Sequence, residues 1–479
     1  MTLTRRNALT GIAAAGAGLS VTACATASNQ AKASASLNAD NGRFNPPIAA
    51  DRPIIFDGLL LNKARAMAVM EEAKVDLLFC RNLTNIYYLT SFRPIGLLLG
   101  NGGGIDFAAL SAHGDPKPTL ISSSFALYFG GLQPDHAAEL NIKQFSLPVD
   151  FEGYGALTDP QAIARAPAFP PFLPSVSDHH PLTDSEEYRR ALASMDPAEM
   201  AASTEAAILR EILANPLPNK TIAIDDLRLR SVVEKAGLDV RIVDGDRLLR
   251  RIRVQKSPAE LKMMRYAATS NAASGRAAAL SVRNGATFHD LRSEFHRQAG
   301  SRGMNYQYMM IDNIIPDKAG GEFAEGRSFL IDCVSTFEGY HGDYGRTVCV
   351  GEPTREMQTV IDGLATTWDR LRSEIKVGMD YNSIRALGLE LFKDIPIDTG
   401  LALNPHSCGL NHSDDAGSVD FGTGFGLPNG TLEENMVLSI DLPFLDNGFG
   451  GSAHLEDLVI MTKDGPELIN DSSDRFILV

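Results

Sequence analysis

The sequence predicts an α+β chain of two domains, an α/β unit followed by a unit of two related halves. Three observations carry this. Helical and short apolar stretches alternate from about residue 55 to 250, the pattern of an α/β layer. A sharp helix start opens the second unit: in Ser257-Pro258-Ala259-Glu260, Ser caps, Pro takes the first position and Glu closes a capping box. The stretch Arg283–Leu291 is then echoed by Lys376–Ile384. Each comes after a long helical stretch, sets an N-cap (Thr287, Asp380) two residues after a glycine, and opens another helix. Two such halves imply a pseudo-twofold domain with a site between them.

The N-terminus, MTLTRRNALTGIAAAGAGLSVTACA, reads as an export signal. Arg5-Arg6 precede a weakly apolar Ala/Gly-rich run, as in twin-arginine signals. Val21-Thr22-Ala23-Cys24 resembles a lipobox, which makes Cys24 a diacylated N-terminus; the competing reading is cleavage after Ala27 in Ala25-Thr26-Ala27. The signal is assigned to residues 1–27 and an Ala/Ser/Asn/Pro-rich tether to residues 28–53. The chain is expected outside the cytoplasm, periplasmic or lipid-anchored to a bacterial envelope. The net charge of −15 disfavours nucleic acid and an anionic membrane surface as partners.

Residues 54–252 form the first domain. The helical pattern Leu59–Ala73 leads to the apolar strand Val75–Cys80. Gly100–Gly104 reads as a hairpin turn, Pro160–Asp184 as a loop or lid, and Glu186–Leu213 as one helical stretch. Thr221–Asp225 and Val240–Val243 are short strands around a helix. The second domain, residues 253–479, starts with a long Ala/Met-rich helix to about Ser281.

The stretch Phe329–Gly351 then reads as two extended segments around a Gly-rich bend, with Asp332 on one and Asp343 on the other. If the two face each other directly, Cys333 opposes Gly342 and Cys349 lies some seven residues further along, so a Cys333–Cys349 disulfide is not expected. The five cysteines show no CxxC pair; the later ones read as small buried hydrophobes. Two bare carboxylates side by side repel, and a divalent cation removes that cost. The alternative is one Asp in the turn and the other solvated. Downstream come His406, Asp441 and Glu456, the two acids ending or interrupting apolar runs where a lone carboxylate would be costly. Four carboxylates and an imidazole suit two Mn, Fe, Co or Zn ions better than one closed zinc site.

In order and spacing, Asp332, Asp343, His406, Asp441 and Glu456 resemble the five-ligand signature of the metallopeptidase family of methionine aminopeptidases, prolidases and Xaa-Pro aminopeptidases. The resemblance covers about residues 252–470. It is strongest at Asp332 through Asp343-Tyr344-Gly345-Arg346-Thr347 and at His454-Leu455-Glu456-Asp457. Asn85-Ile86-Tyr87-Tyr88-Leu89-Thr90 makes the first half similar to the creatinase/prolidase N-terminal domain. The resemblance implies a pita-bread fold and two divalent ions, with Asp332 on one, His406 and Asp441 on the other, and Asp343 and Glu456 bridging. A shared hydroxide would attack the amide carbonyl before a proline in a short peptide. His412 would hold the substrate carbonyl or tetrahedral intermediate, His454 is the other catalytic candidate, and Arg346 and Asp457 would orient ligands. A homodimer is expected on the same ground.

The sequence departs from that pattern at four places. Position 441 is Asp where the peptidases usually carry Glu. His406 and His412 stand one residue closer together than usual. No His occurs in Ile311–Gly321, where one is usual some 17 residues before the first Asp, and His454 stands where Xaa-Pro aminopeptidases often have Arg. An exported Xaa-Pro exopeptidase is therefore the leading expectation. A lyase or amidinohydrolase on the same scaffold, and an inactive binding homologue, are the alternatives.

Overall fold

A computed structural model describes residues 58–99, 105–114, 117–146, 157–168, 170–171, 173–316, 320–393, 403–415, 429–445, 447–470 and 474–479. The expected export signal, the tether and the Gly100–Gly104 turn lie outside the described residues. Among those described, no helix is long and apolar enough to cross a membrane.

The first unit is a six-stranded mixed sheet. Its strands are β1 (Leu77–Cys80), β2 (Phe107–Ser111), β3 (Thr119–Ser123), β4 (Asn141–Phe145), β5 (Thr221–Ile224) and β6 (Arg241–Asp244), ordered β4-β3-β2-β1-β5-β6. The central strands are buried throughout, as a sheet covered on both faces requires. The expected single helix over Glu186–Leu213 is two, Asp184–Ala193 and Thr204–Ala214. Pro197, with no backbone N–H to give, falls between them. The expected loop after Pro160 includes the helix Pro160–Arg165, started by Asp159 as cap with Pro first. Asn85–Thr90 lies in the helix Leu83–Thr90.

The second unit shows the repeat. Ser257 caps the helix Pro258–Ala279 in a capping box with Glu260. Thr287 caps Phe288–Ser301 and Asp380 caps Tyr381–Phe392, each side chain accepting from the backbone three residues on. Gly285 and Gly378 precede them at φ +80° and +93°, where a side chain would be strained. The strands are β7 (Asn305–Ile311), β8 (Arg327–Phe337), β9 (Tyr340–Val350), β10 (His406–Ser407), β11 (Val437–Phe444), β12 (Ala453–Thr462), β13 (Gly465–Leu468) and β14 (Phe476–Leu478). They form one sheet in the order β10-β11-β12-β9-β8-β7, with β13 on β12 and β14 on β9. The halves meet where β9 pairs β12.

One face of this sheet receives the helix Pro258–Ala279. Close approach is possible because Gly342 and Gly275 lack side chains: a Cβ on Gly342 would fall 2.4 Å from Asn271 Cβ, one on Gly275 2.9 Å from Tyr344. Cys333 and Tyr344 point to that side, which leaves Asp332 and Asp343 on the other. The first unit packs against the β8–β9 turn, where Arg93 pairs with Glu338 at 2.8 Å.

Candidate metal centre

The β8–β9 hairpin closes through Glu338 and Gly339, both at positive φ (49° and 86°), the backbone of a two-residue type I′ turn. That turn sets the register, and it differs by two residues from direct facing of the two acids. Asp332 lies opposite Gly345 and Asp343 opposite Val334. Because a shift of two preserves the face, the carboxylates remain diagonal neighbours on one side. Cys333 opposes Tyr344 and Cys349 opposes Ser328; both thiols are free and buried.

Register carries the row across the sheet. Asp332 stands beside Gly345, Gly345 beside Glu456, and Glu456 beside Asp441, while His406 pairs with Ser439 on the edge. Backbone pairing thus gathers ligands from positions 332 to 456. Three groups of ligand atoms lie within 4.8 Å of one another: Asp332 with Asp343 and Glu456; His406 with Asp441 and Glu456; and Asp343 with His406 and His412. All five ligands expected from the sequence are brought together, and His412 joins them.

The site's electrostatics are those of crowded acids. Asp332 Oδ1 and both Asp343 oxygens are buried without a hydrogen-bond partner. Burial and the charges of Glu456 and Asp343 push the Asp332 carboxyl well up. Burial, Asp343 and Asp441 push Glu456 to about 7. Burial opposes charge at Asp343 too, yet the imidazoles of His412 and His406 hold its carboxyl low. At His406 burial favours the neutral ring, but Glu456 and Asp343 outweigh it and push the group to about 10. His454 is pushed to about 10 in the same way, by Asp441 and Glu456 against burial. Orphaned carboxylate oxygens beside imidazoles are a donor set that fits divalent cations.

His454 does not stand free in the site. Its ring is buried, Nε2 lies 2.8 Å from Asp441 Oδ1 and 3.6 Å from Glu456 Oε2, and Nδ1 lies 3.3 Å from the Ile331 carbonyl. Gly345 makes room: a Cβ there would fall 2.4 Å from the ring and 2.8 Å from Glu456 Cβ. Arg346 and Asp457, both fully buried, pair at 2.9 Å on the helix side. Arg346 Nη1 also donates to the carbonyls of Gly345 and Glu456, pinning the two ligand strands together.

Four site residues carry no sequence signal of their own. Gln307 is extra at a β-bulge, so Tyr306 pairs Ser335 but Tyr308 pairs Val334, in the row of Asp343. The bulge aims Tyr308 into the centre, its Oη 3.1 Å from His412 Nε2. Burial and the charges of Asp332 and Asp343 push its phenol far up, so it is a neutral donor. Ser439 donates to Glu456 Oε1. Asp415 accepts from Tyr381 Oη and the Ser407 amide, and Asp414 accepts from Arg253 and Lys256, fastening the chain between the two histidines. A bulge is a pairing irregularity, and these acids are ordinary loop residues until the fold supplies partners.

The sheet with two facing halves and a carboxylate-rich centre is that of the pita-bread fold. Residues 262–463 match the model of metallopeptidase family M24. Among curated proteins, none matches the sequence. Solved structures of similar fold include an X-Pro aminopeptidase from Thermotoga maritima (14% identity, 86% of this chain and 100% of that chain, TM-score 0.58). A dipeptidase PepE from Mycobacterium ulcerans is similar over 91% of this chain and 100% of its own (17% identity, TM-score 0.57). The prolidase from Pyrococcus horikoshii is similar over 86% and 99% (13% identity, TM-score 0.55). At these identities the likeness is one of fold.

Proposed function

We propose that the chain is an exported exopeptidase that uses two divalent metal ions to cleave the N-terminal bond of short peptides, with Xaa-Pro sequences as the first substrates to test. The observation that carries this is the transverse row Asp332–Gly345–Glu456–Asp441, flanked by Asp343 and His406, with buried carboxylate oxygens that no protein donor satisfies. Asp332, Asp343 and Glu456 would hold one ion, and His406, Asp441 and Glu456 the other, with Asp343 and Glu456 shared. Bound there, the ions supply an activated water near neutral pH and polarise the amide carbonyl.

The chain's own residues do the rest. Ser439 fixes one Glu456 oxygen and leaves the other directed into the centre. Tyr308 offers a neutral hydroxyl beside His412, a donor suited to an oxygen that gains negative charge. His412, about one-third exposed, is the group best placed to reach from the centre to solvent and substrate.

The division into residues 54–252 and 253–479, homodimerisation and lipid attachment at Cys24 belong to the same proposal. Purified protein is assayed with added Mn, Co or Zn against Xaa-Pro peptides and matched peptides without proline. Cleavage dependent on metal and on proline supports the reading. Full metal occupancy with no peptide cleaved sinks the peptidase and favours a lyase or amidinohydrolase on this scaffold. The His454–Asp441 contact, which ties up a ligand oxygen, is the observation on that side. Envelope attachment is tested by Cys24→Ala: a variant that stays membrane-bound excludes the lipid anchor.

A further inference from the structure

The His406 side of the centre has a carboxylate of short reach and an imidazole in surplus. Asp441 lies 2.8 Å through Oδ1 from His454 Nε2. On the opposite flank, His412 Nε2 and His406 Nε2 approach one oxygen, Asp343 Oδ2, at 3.0 and 3.5 Å. The two rings are 4.9 Å apart, tilted by 43°. Both Asp343 oxygens are buried and neither accepts a directed hydrogen bond, so the 3.0 Å approach is not an ordinary N–H···O contact. Ligand atoms about 2.1 Å from one ion and at right angles stand about 3.0 Å apart. The two approaches to Asp343 Oδ2 have the spacing of neighbouring ligands on one ion, and the ligand atoms of all three residues lie within 4.8 Å of one another. His406 is compatible with this, since Nδ1 lies 3.4 Å from the Ser407 carbonyl, an acceptor for its proton when an ion takes Nε2.

We propose that His412 is itself a metal ligand, so that Asp343, His406 and His412 form a two-imidazole, one-carboxylate set at one of the two metal positions. The proposal rests on the metal-dependent reading above and changes the role of His412 from substrate contact to coordination. Five residues separate the two histidines, and the segment is tied down by Asp414 and Asp415 just beyond His412, which brings both rings onto a single carboxylate. Tyr308 shares His412 Nε2 in the metal-free chain, so in the loaded protein its hydroxyl must turn to another acceptor.

The test is metal content and coordination, read apart from activity. Full-length mature protein is loaded with cobalt(II), dialysed, and measured for cobalt per chain and for imidazole scattering by X-ray absorption. The wild type is expected to hold two ions, with imidazole scattering falling by about half in His412→Ala and one ion lost on dialysis. Retention of both ions with unchanged scattering in His412→Ala overturns the proposal, whatever happens to kcat. Tyr308→Phe removes the hydroxyl contact but no ligand, and is expected to keep both ions; loss there equal to that in His412→Ala also overturns it. If His412→Ala does not fold, His412→Gln is read by the same two measurements. A wild type that loses an ion with His412→Ala yet cleaves no peptide supports the proposal and removes only the peptidase. A wild type that takes up no ion overturns both.

Discussion

The β8–β9 hairpin and the β10–β11 edge supply the same centre by different means. β8 and β9 are eleven residues each and pair in unbroken register from Arg327↔Val350 to Phe337↔Tyr340. Asp332 and Asp343 are therefore placed by backbone hydrogen bonds and a two-residue turn. β10 is two residues long, and the chain leaves the sheet after the Cys408 amide bonds the Val437 carbonyl. There His412 and its loop are placed by side chains, Asp415 on Tyr381 and the Ser407 amide and Asp414 on Arg253 and Lys256, while Asp441 and His454 sit in the β11–β12 ladder. A ladder tolerates little drift in ligand position, whereas a side-chain scaffold can be re-aimed by single substitutions. Of the departures from the family pattern, the spacing to His412 falls on the side-chain-built segment, while positions 441 and 454 lie in the β11–β12 ladder.

The largest effect is expected on the hairpin. Asp343 groups with Asp332, Glu456, His406 and His412, so Asp343→Ala should abolish stable binding of both ions. Its loss of affinity should exceed the roughly 10–100-fold that removing an orienting partner costs. Elemental analysis after dialysis reads this, and a variant that keeps both ions would show that the edge can hold them alone.

Next comes the scaffold of the edge. Asp414→Ala leaves Arg253 and Lys256 buried without their carboxylate. It is expected to cost about 3–5 kcal/mol in urea unfolding, as for other broken buried pairs. A cost below about 1 kcal/mol would mean that the ion pair does not hold the loop. Gly345→Ala tests the junction of the two regions: the new methyl meets His454 and Glu456 Cβ. About 1–3 kcal/mol of stability should be lost, with weaker metal retention, and His454→Ala should relieve it in the double variant.

The gentlest effect is a slope with pH. In the metal-free chain Glu456 is pushed to about 7, and His406 and His454 to about 10. Each binds its proton more tightly folded than unfolded, so stability falls as pH rises wherever these groups titrate. The contribution is complete below the unfolded values, about 4.5 for Glu and 6.5 for His, and is lost as pH passes through about 7 and on toward 10. Asp343, held low, acts only below the ordinary carboxylate range. Chelator-treated protein should therefore melt at falling temperature from pH 5 to 9, while metal-loaded protein, whose ligands carry no protons, should gain stability from pH 5 to about 7 and change little above. Equal slopes in the two states would show that the cluster does not act as a unit.

Much of the fold was legible because its signals are local. The capping box at Ser257 and Glu260, the caps Thr287 and Asp380, and the alternating apolar strands around Asp332 and Asp343 each depend on residues within a few positions. The five expected ligand positions could be read from type and order, and the structure brings them into one cluster. Their pairing could not be read. Asp332 and Asp343 differ from direct facing by two residues because Glu338 and Gly339 alone form the turn, a choice that a glycine-containing stretch leaves open. The helix expected over Glu186–Leu213 failed for the opposite reason: its pattern is continuous while Pro197 breaks the backbone.

The sequence by itself determined which side chains were available: hard oxygen donors, two nearby imidazoles, and a short Asp at 441. It also determined the local starts and stops of the elements that carry them, since caps, turns and periodicity act over one or two turns of chain. Only the tertiary structure decided which of those side chains share a centre. The β9–β12 pairing set Glu456 beside Gly345, the bulge at Gln307 turned Tyr308 inward, and the glycine at 345 admitted the ring of His454. These are contacts between residues up to 111 positions apart, fixed by sheet register and close packing, and no local pattern encodes them.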